Sequence, residues 1–198
     1  MKAVPSVDEM YRPGSSTFVD PPRVSQRWEG ECRPGHFRGV ATVVLKLFQL
    51  LPADVAYFGA KDYQQTLVVR HMVTDLDVPI EISVRPTVRE ADGLAMSSRN
   101  RYLQPDERRR ALALSRGLRA SFEAWRGGES SARELERIVS DELVAGGVAE
   151  IEYVAVADPR SLEPLDTVMP LEAGVPRAVV LIAARVGGTR LIDNLLLE

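Results

Sequence analysis

Apolar positions at helical spacing and at strand spacing follow one another along residues 39–84. Between Gly39 and Leu51 the apolar side chains fall on one helical face: Val40, Val43, Val44, Leu47 and Leu51. Pro52 and Asp54 end this predicted helix. The apolar run from Val55 to Phe58 then predicts a short buried strand.

The same order repeats in the next stretch. A tight loop at Gly59 to Asp62 leads into a second predicted helix, from about Asp62 to Leu76. Its inward positions are expected at Leu67, Val68, His71 and Met72. Ile80 to Val84 predicts another strand. Helix, strand, helix and strand in this order are typical of a parallel α/β sheet.

The pattern changes after Pro86. Pro105 opens a long predicted helix that runs to about Trp125, and Gly127-Gly128 ends it. Ser131-Ala-Arg-Glu134 predicts a capping box for a further helix, which ends at Gly146-Gly147. Three β-like runs follow, namely Ile151 to Val156, Ala178 to Ala183 and Arg190 to Leu195. We therefore expect a small α+β unit, with the boundary between residues 1–87 and residues 88–198.

The first 35 residues offer little to pack. They are rich in Pro, Gly and Ser, and their one regular feature is a β-like run from Thr17 to Val19. Such a stretch is an unusual start for a domain. We interpret it as the middle of a domain that begins further upstream.

Composition excludes several classes of function. The 198 residues are 45% apolar and 27% charged with a net charge of −3, so we expect neither nucleic acid nor an anionic membrane as a partner. One cysteine and two histidines make a poor zinc set, and we predict no metal site. Cys32 is expected to be a small, semi-buried residue, and its solitary thiol suits a reducing compartment. No apolar stretch reaches the roughly 18 residues of a membrane helix, and no secretory core is evident, which favours the cytoplasm.

The richest local chemistry lies in the loop between the first predicted strand and its following helix. Such a loop presents backbone amides at the carboxyl edge of a parallel sheet, where phosphates bind. Gly59 permits close approach of a ligand, Lys61 adds a positive charge, and Asp62 can accept hydrogen bonds from sugar hydroxyls. Two amides one turn further on, Gln64 and Gln65, are able to bond a polar substrate. A capping role for Asp62 and a solvated Lys61 is the equally weighted alternative.

A second polar segment follows Asp92-Gly93. Met96-Ser-Ser-Arg-Asn-Arg101 places two hydroxyls beside two guanidinium groups, and such a set can wrap around phosphate oxygens. The segment taken alone is better explained as a polar turn before a helix.

A third segment, Cys32-Arg-Pro-Gly-His-Phe-Arg-Gly39, holds one of the two histidines. The flanking Arg33 and Arg38 favour a neutral His36, which is then able to donate or accept a proton. The alternative is a structural loop that enters the helix. His71, on the apolar face of its predicted helix, is expected to be a core residue.

These three segments, in this order, resemble the pantothenate synthetase family. The matching motifs are Arg33 to Val40, Phe58 to Gln65, Asp92 to Leu103 and the tail Arg190 to Asn194, and the similarity runs over essentially the whole chain. The resemblance implies a nucleotidyltransferase fold related to class I aminoacyl-tRNA synthetases. The fold class is then α/β, with the C-terminal half of a Rossmann-like parallel sheet domain (residues 1–87) followed by a small α+β lid domain (residues 88–198).

The resemblance also implies roles for individual residues. Pantoate and β-alanine would be condensed at the expense of ATP, bound with Mg²⁺, through a pantoyl adenylate. The residues of the ATP site would be Gly59, Ala60, Lys61, Asp62, Val88, Met96, Ser97, Ser98 and Arg99. Gln65 would hold pantoate, and Arg33 and His36 would lie in the acyl-substrate pocket. Lys61, Arg99 and His36 would act in catalysis.

Two departures from the family pattern qualify these expectations. Ala60 stands where the family usually has Glu. The family's first strand, its HxGH-type loop and a pantoate-binding Gln are expected to lie outside this chain, which would leave it incomplete for catalysis. The alternatives are a non-catalytic fragment or partner subunit that binds nucleotide weakly, and another adenylate-forming nucleotidyltransferase. The family also implies a homodimer.

Overall fold

The alternation of helix and strand over residues 39–84 is present in the computed structural model, which describes residues 5–21, 23–170 and 175–198. The helices are α1 (Val7–Met10), α2 (Glu29–Cys32), α3 (His36–Leu50), α4 (Tyr63–Asp75), α5 (Pro105–Arg126) and α6 (Ala132–Ala145). The strands are β1 (Val55–Gly59), β2 (Glu81–Arg85), β3 (Glu150–Ala157), β4 (Ala178–Val186) and β5 (Thr189–Leu197). Short 3₁₀ helices cover Arg23–Ser25, Ala60–Asp62 and Ser98–Tyr102.

These elements fall into two compact units. Unit 1 runs up to Phe58 and resumes at Gln64–Val84, while unit 2 comprises Gly59–Tyr63 and Arg85–Glu198. Strands β1 and β2 are neighbours in a parallel sheet, and β3, β4 and β5 form a separate antiparallel sheet. The predicted α/β class, with a parallel sheet followed by a separate antiparallel sheet, is therefore confirmed.

Helix α3 begins three residues earlier than the apolar pattern predicted. Gly35 precedes it with φ +78°, so His36 is the first helical residue instead of a loop residue. The earlier start brings Phe37 into the helix, and the buried side chains are Phe37, Ala41, Thr42 and Val44. The predicted face therefore agrees with the buried one only in part. Val44 is buried, Val40, Val43 and Leu47 are half-buried, and Leu51 is exposed beyond the helix end.

The strand predicted in the N-terminal segment does not form, and the regular elements of this segment are short helices at other residues. The run Thr17 to Val19 is irregular, and the backbone N–H of Val19 donates to Oγ1 of Thr42 on α3 at 2.9 Å. A β-like sequence needs a neighbouring strand to form a ladder, and Thr17 to Val19 belongs to neither sheet of the described residues. Cys32, expected to be semi-buried, is exposed at the end of α2.

Unit 2 has the most extensive core of the molecule. Its sheet has the order β3-β4-β5, and β4 pairs with β5 in unbroken register from Val186↔Thr189 to Ala178↔Leu197. Helices α5 and α6 pack together, α6 contacts β3, and α5 contacts β4 and β5. The largest fully buried side chains on the two helices are Leu114, Leu118, Leu135, Val139 and Leu143. Burial of each of these side chains stabilises the unit by about 1.5–3 kcal/mol.

The ends of these helices follow the sequence signals in part. A reciprocal capping box at the start of α5 joins Gln104 and Glu107. At α6 only half of the predicted box forms. Ser131 accepts from the N–H of Glu134, but the Ser131 N–H binds Glu129 instead and Glu134 pairs with Arg137. An ion pair with a neighbouring guanidinium thus replaces the return hydrogen bond of the box.

Candidate functional site

The lysine-bearing loop leaves β1 and turns into the 3₁₀ helix Ala60–Asp62 before α4 begins. Lys61 is half-buried, and its ammonium group makes no ion pair or hydrogen bond with any described residue. Asp62 is exposed and likewise has no described partner, so the predicted alternative, in which Asp62 caps the helix, does not occur. Both side chains therefore remain available to a ligand.

Gly59 occupies a position where the described chain does not require glycine. Its backbone is extended, with φ −85° and ψ 134°, which any residue adopts. A Cβ atom placed there would meet no described atom within 4 Å. Open space beside Gly59 therefore permits a ligand to approach the backbone closely, as the sequence suggested.

The two adjacent glutamines differ completely in their surroundings. Gln64 is buried, and its amide donates to the carbonyls of Val24 and Arg27 and accepts from the N–H of Glu29. The suggestion that Gln64 bonds a substrate is therefore wrong, because its side chain is fully used within unit 1. Gln65 is half-buried and has no partner among the described residues, so it remains a candidate for substrate binding.

The serine–arginine segment continues from a short hairpin. The N–H of Met96 donates to the carbonyl of Val88 at 2.8 Å, and Arg89 and Ala95 form a β-bridge. Val88 and Met96, which the sequence assigned separately to the nucleotide site, are thus neighbours. Both are exposed, by 63% and 56% respectively. The hairpin presents an apolar pair that a flat aromatic base is able to cover.

The turn after Met96 leaves one guanidinium group unoccupied. Ser97 caps the 3₁₀ helix Ser98–Tyr102 by accepting from the N–H of Arg99 at 3.2 Å. Arg101 stacks over the ring of Tyr102 and donates to its hydroxyl at 2.7 Å. The Arg99 guanidinium is exposed and contacts no partner in the described chain. Of the two arginines in this segment, Arg99 is therefore the one available to a phosphate.

The base of this segment is held by a network of charged groups. Asn100 is buried and donates to Glu90 at 2.5 Å and to the carbonyl of Ala95 at 3.1 Å. Arg108 of α5 donates to Glu90 and Asp92, each at 2.7 Å. The hydrogen bonds from Asn100 and Arg108 hold the pKa of Glu90 below its ordinary value, and that from Arg108 does the same for the pKa of Asp92. Both carboxylates therefore stay ionised and anchored to the hairpin.

Strand β5 contacts both 3₁₀ helices, Ala60–Asp62 and Ser98–Tyr102. Asn194 donates from Nδ2 to the carbonyls of Ala60 at 3.0 Å and Lys61 at 2.8 Å. Its neighbour Asp193 accepts from both terminal nitrogens of Arg89, at 2.7 and 3.1 Å. The loops that carry Lys61 and Arg99 are thus attached to the same strand of unit 2.

The third predicted segment lies in unit 1. Nη1 of Arg33 lies 3.1 Å from Nε2 of His36 and 3.7 Å from the buried carboxylate of Glu29. Because arginine has only donors, Nε2 of His36 accepts this bond and Nδ1 carries the ring proton. A cavity of about 360 Å³ beside them is lined by Arg33, Phe37 and Arg38, among others. Both guanidinium groups are ion-paired, Arg33 with Glu29 and Arg38 with Asp20 at 3.3 Å, and Asp20 also lines the cavity.

Three further observations concern His71, groups of metal-ligating residues and long apolar helices. His71, expected in the core, is half-buried. No group of three or more His, Cys, Asp or Glu residues in the described ranges is arranged to hold a metal ion. Within the same ranges no helix is both long and apolar enough to cross a membrane. Asp193 and Asn194 lie in the tail motif Arg190 to Asn194, but no role was predicted for them, although two adjacent polar residues inside an apolar strand were a signal. No functional role was predicted for Arg89 or Arg108 either.

The chain matches one known family over nearly its whole length. The model of the family described as pantoate-beta-alanine ligase matches residues 3–196. Pantothenate synthetases of Moorella thermoacetica and Roseiflexus sp. are 49% and 51% identical to it, each over 194 residues and 98% of this chain. The chain spans 66% and 68% of those two proteins, about two thirds of their length.

Two crystal structures support the same assignment. Pantothenate synthetase from Thermus thermophilus is 46% identical with a TM-score of 0.90, and the match covers 98% of this chain and 68% of that one. Pantoate-beta-alanine ligase from Francisella tularensis, described as complexed with beta-gamma ATP and beta-alanine, is 30% identical with a TM-score of 0.71. That match covers 96% of this chain and 62% of the Francisella chain.

Proposed function

This chain belongs to the pantoate-β-alanine ligase family, and we propose that it takes part in the ATP-dependent condensation of pantoate with β-alanine. The observation that supports the proposal best is that two loops of unit 2 each carry a cation with no partner among the described residues. Lys61 and Arg99 lie on two loops that both contact β5, and neither is neutralised by a described side chain. Unpaired cations at the edge of a strand–helix turn are suited to the phosphates of a nucleotide.

We propose a two-step reaction. A carboxylate oxygen of pantoate attacks the α-phosphorus of ATP, the bond to the bridging oxygen breaks, and pyrophosphate leaves. The amine of β-alanine then attacks the acyl carbon of the pantoyl adenylate, loses a proton and displaces AMP. Negative charge moves onto the phosphate oxygens in the first step. Lys61 and Arg99 would stabilise that charge, with Ser97 and Ser98 as neutral donors nearby.

The nucleoside would be held by uncharged and acidic groups of the same unit. Asp62, exposed and unpartnered, would accept hydrogen bonds from the ribose hydroxyls, and Gly59 and Ala60 would leave space for the backbone to approach. Val88 and Met96 would cover the base. Because the described residues supply no cluster of metal ligands, Mg²⁺ would enter bound to the ATP phosphates.

In unit 1, three residues would meet the acid substrate. Gln65 would bond pantoate through its unpartnered amide. Arg33 and His36 would line the acyl-substrate pocket, and Nδ1 of His36, which carries the proton, would be the atom able to donate it. We further propose that the protein acts in the cytoplasm, as its composition favoured, and that it forms a homodimer, as the family resemblance implied.

Nucleotide binding tests the proposal directly. Titration of the purified chain with Mg-ATP should show binding, and Lys61→Ala and Arg99→Ala should each weaken it by roughly 10- to 100-fold, as expected for a lost charged hydrogen bond. Matched controls are Lys46→Ala and Arg101→Ala, because these cations already lie against the rings of Tyr11 and Tyr102. Controls that weaken binding as much as the test variants would refute the assignment of Lys61 and Arg99.

Product formation separates the ligase from other nucleotide-binding proteins. Pyrophosphate release that requires pantoate, measured in the same samples, supports the ligase. ATP binding without such release identifies a non-catalytic nucleotide-binding protein, and release with a different hydroxy acid identifies another adenylate-forming enzyme.

A further inference from the structure

We propose that Asp193 and Asn194 are positioning residues that set the spacing between the two nucleotide-binding loops. The inference rests on the proposed function, because it assigns these loops to one nucleotide. Both side chains are buried and hydrogen-bonded within unit 2. Each fixes a piece of backbone that leads to a side chain of the site.

The burial of both residues is unusual for a strand. Successive side chains of a strand point to opposite faces, and β5 alternates between buried and half-buried positions from Thr189 to Asp193. Asn194 breaks the alternation, so that Asp193 and Asn194 are both buried, with 3% and 7% of their surface exposed. Burial of polar groups is unfavourable unless they are hydrogen-bonded. Both therefore depend on the partners that the structure gives them.

Asn194 determines the path of the lysine loop. Its single amide nitrogen binds two successive carbonyls, those of Ala60 and Lys61, at 3.0 and 2.8 Å. An amide group has two N–H donors, and both are used here. Two bonds to consecutive carbonyls orient this turn against β5, and that orientation limits where the Lys61 ammonium can reach.

Asp193 has the corresponding effect on the hairpin. Its carboxylate binds both terminal nitrogens of Arg89, which also donates from Nη1 to the carbonyl of Gly93 at 3.2 Å. Arg89 forms a β-bridge with Ala95, directly before the segment that carries Arg99. The fork between carboxylate and guanidinium has a fixed geometry. The hairpin is therefore held in one orientation on the strand.

Asp193 and Asn194 are adjacent residues of one strand. The strand β5, and not the loops themselves, therefore sets the distance between the two loops. β5 is paired with β4 along its whole length, so it forms a rigid base. Loops ordered before ATP arrives do not lose conformational freedom on binding, which improves affinity. We infer that loss of either anchor weakens ATP binding through loop order.

Hydrogen exchange of the ligand-free protein tests the anchoring. Asn194→Ala should accelerate exchange over residues 60–64 and leave residues 89–96 unchanged, and Asp193→Asn should do the reverse. Asn194→Asp keeps the size of the side chain and removes both donors, so it should behave like Asn194→Ala. Exchange at wild-type rates in Asn194→Asp would overturn the inference. Val156→Ala, a core truncation on β3, is the control for general destabilisation and should leave both loops unchanged.

The second test measures affinity for Mg-ATP. General structural damage would weaken binding whether or not Lys61 is present, whereas loss of the Asn194 anchor should act through Lys61. Asn194→Ala should weaken binding roughly tenfold in the wild-type background, in keeping with two lost hydrogen bonds, and much less in the Lys61→Ala background. Equal losses in both backgrounds would overturn the positioning role. Failure of the wild-type chain to bind ATP would instead overturn the proposed function, and the exchange experiment would still report on the anchors.

Discussion

Substitution of Gln64 tests whether its amide organises the segment before α3. This residue is 4% exposed and makes three hydrogen bonds to backbone groups that belong to the stretch from Val24 to Glu29. That stretch contains the 3₁₀ helix Arg23–Ser25 and the start of α2. Gln64→Ala would remove the three hydrogen bonds that this amide makes to the carbonyls of Val24 and Arg27 and to the N–H of Glu29.

The magnitude follows from these three bonds. Two donate from Nε2, at 2.6 and 2.9 Å, and one accepts at Oε1 at 3.2 Å. Each buried hydrogen bond contributes about 1 kcal/mol, so Gln64→Ala should lower the free energy of unfolding by about 3 kcal/mol. With a urea m-value of about 2 kcal/mol/M, the midpoint of unfolding should fall by about 1.5 M.

The next residue is the matched control. Gln65 has the same side chain on the same helix, but it is half-buried and has no described partner. Gln65→Ala should therefore change stability by less than about 0.5 kcal/mol. Urea unfolding followed by circular dichroism measures both variants. Hydrogen exchange over residues 24–32 should accelerate in Gln64→Ala alone.

Two results would refute the reasoning. One is a Gln64→Ala midpoint within about 0.3 M of wild type, which would mean that water replaces the amide without cost. The other is an equal loss in both variants, which would mean that the substitutions act through helix α4 and not through the buried hydrogen bonds. Pantoate binding distinguishes the two variants further, because Gln65→Ala should weaken it if the proposed function is correct.

Two further predictions concern unit 2. The pKa values of Glu90 and Asp92 are lowered in the folded protein, so these carboxylates stabilise it above their unfolded pKa values of about 4, and the contribution is lost as the pH falls through the folded values. Urea unfolding from about pH 5 to about pH 3 should show a steeper loss in wild type than in Arg108→Ala. Gly187→Ala should destabilise by about 1–2 kcal/mol, because φ is +58° and the new Cβ would overlap the carboxylate of Glu107 on α5. Gly188→Ala, where no described atom lies within 4 Å of the new Cβ, should change thermal stability by less than about 0.5 kcal/mol.

The fold of unit 2 was predictable because its signals are local. Pro105 at the first helical turn and the glycines after Arg126 delimit α5 within the chain itself. The three strands also formed where β-like runs were predicted, with bounds extended by one to three residues at each end of most of them. Strong periodicity over long segments leaves few competing arrangements.

The face of α3 was not predictable in the same way. Five valines and leucines favoured one face, but the helix begins at His36, and Phe37 then defines a different buried stripe. The start depends on Gly35 in a left-handed conformation, which a glycine permits but does not require. An apolar pattern predicts that a segment is helical, but which of its residues are buried depends on the surface against which the helix packs.

Prediction from the sequence has the same limit for single side chains of the candidate site. The residue pattern alone did not distinguish Gln64 from Gln65 or Arg99 from Arg101, and only the family resemblance favoured Gln65 and Arg99. In each pair, one member is engaged by its surroundings and the other is unpartnered among the described residues. Residue type states which bonds a side chain can make, but only the packing decides whether those bonds are already made within the protein. The unpartnered member is therefore the better candidate for a ligand, and the engaged member is the natural control for testing it.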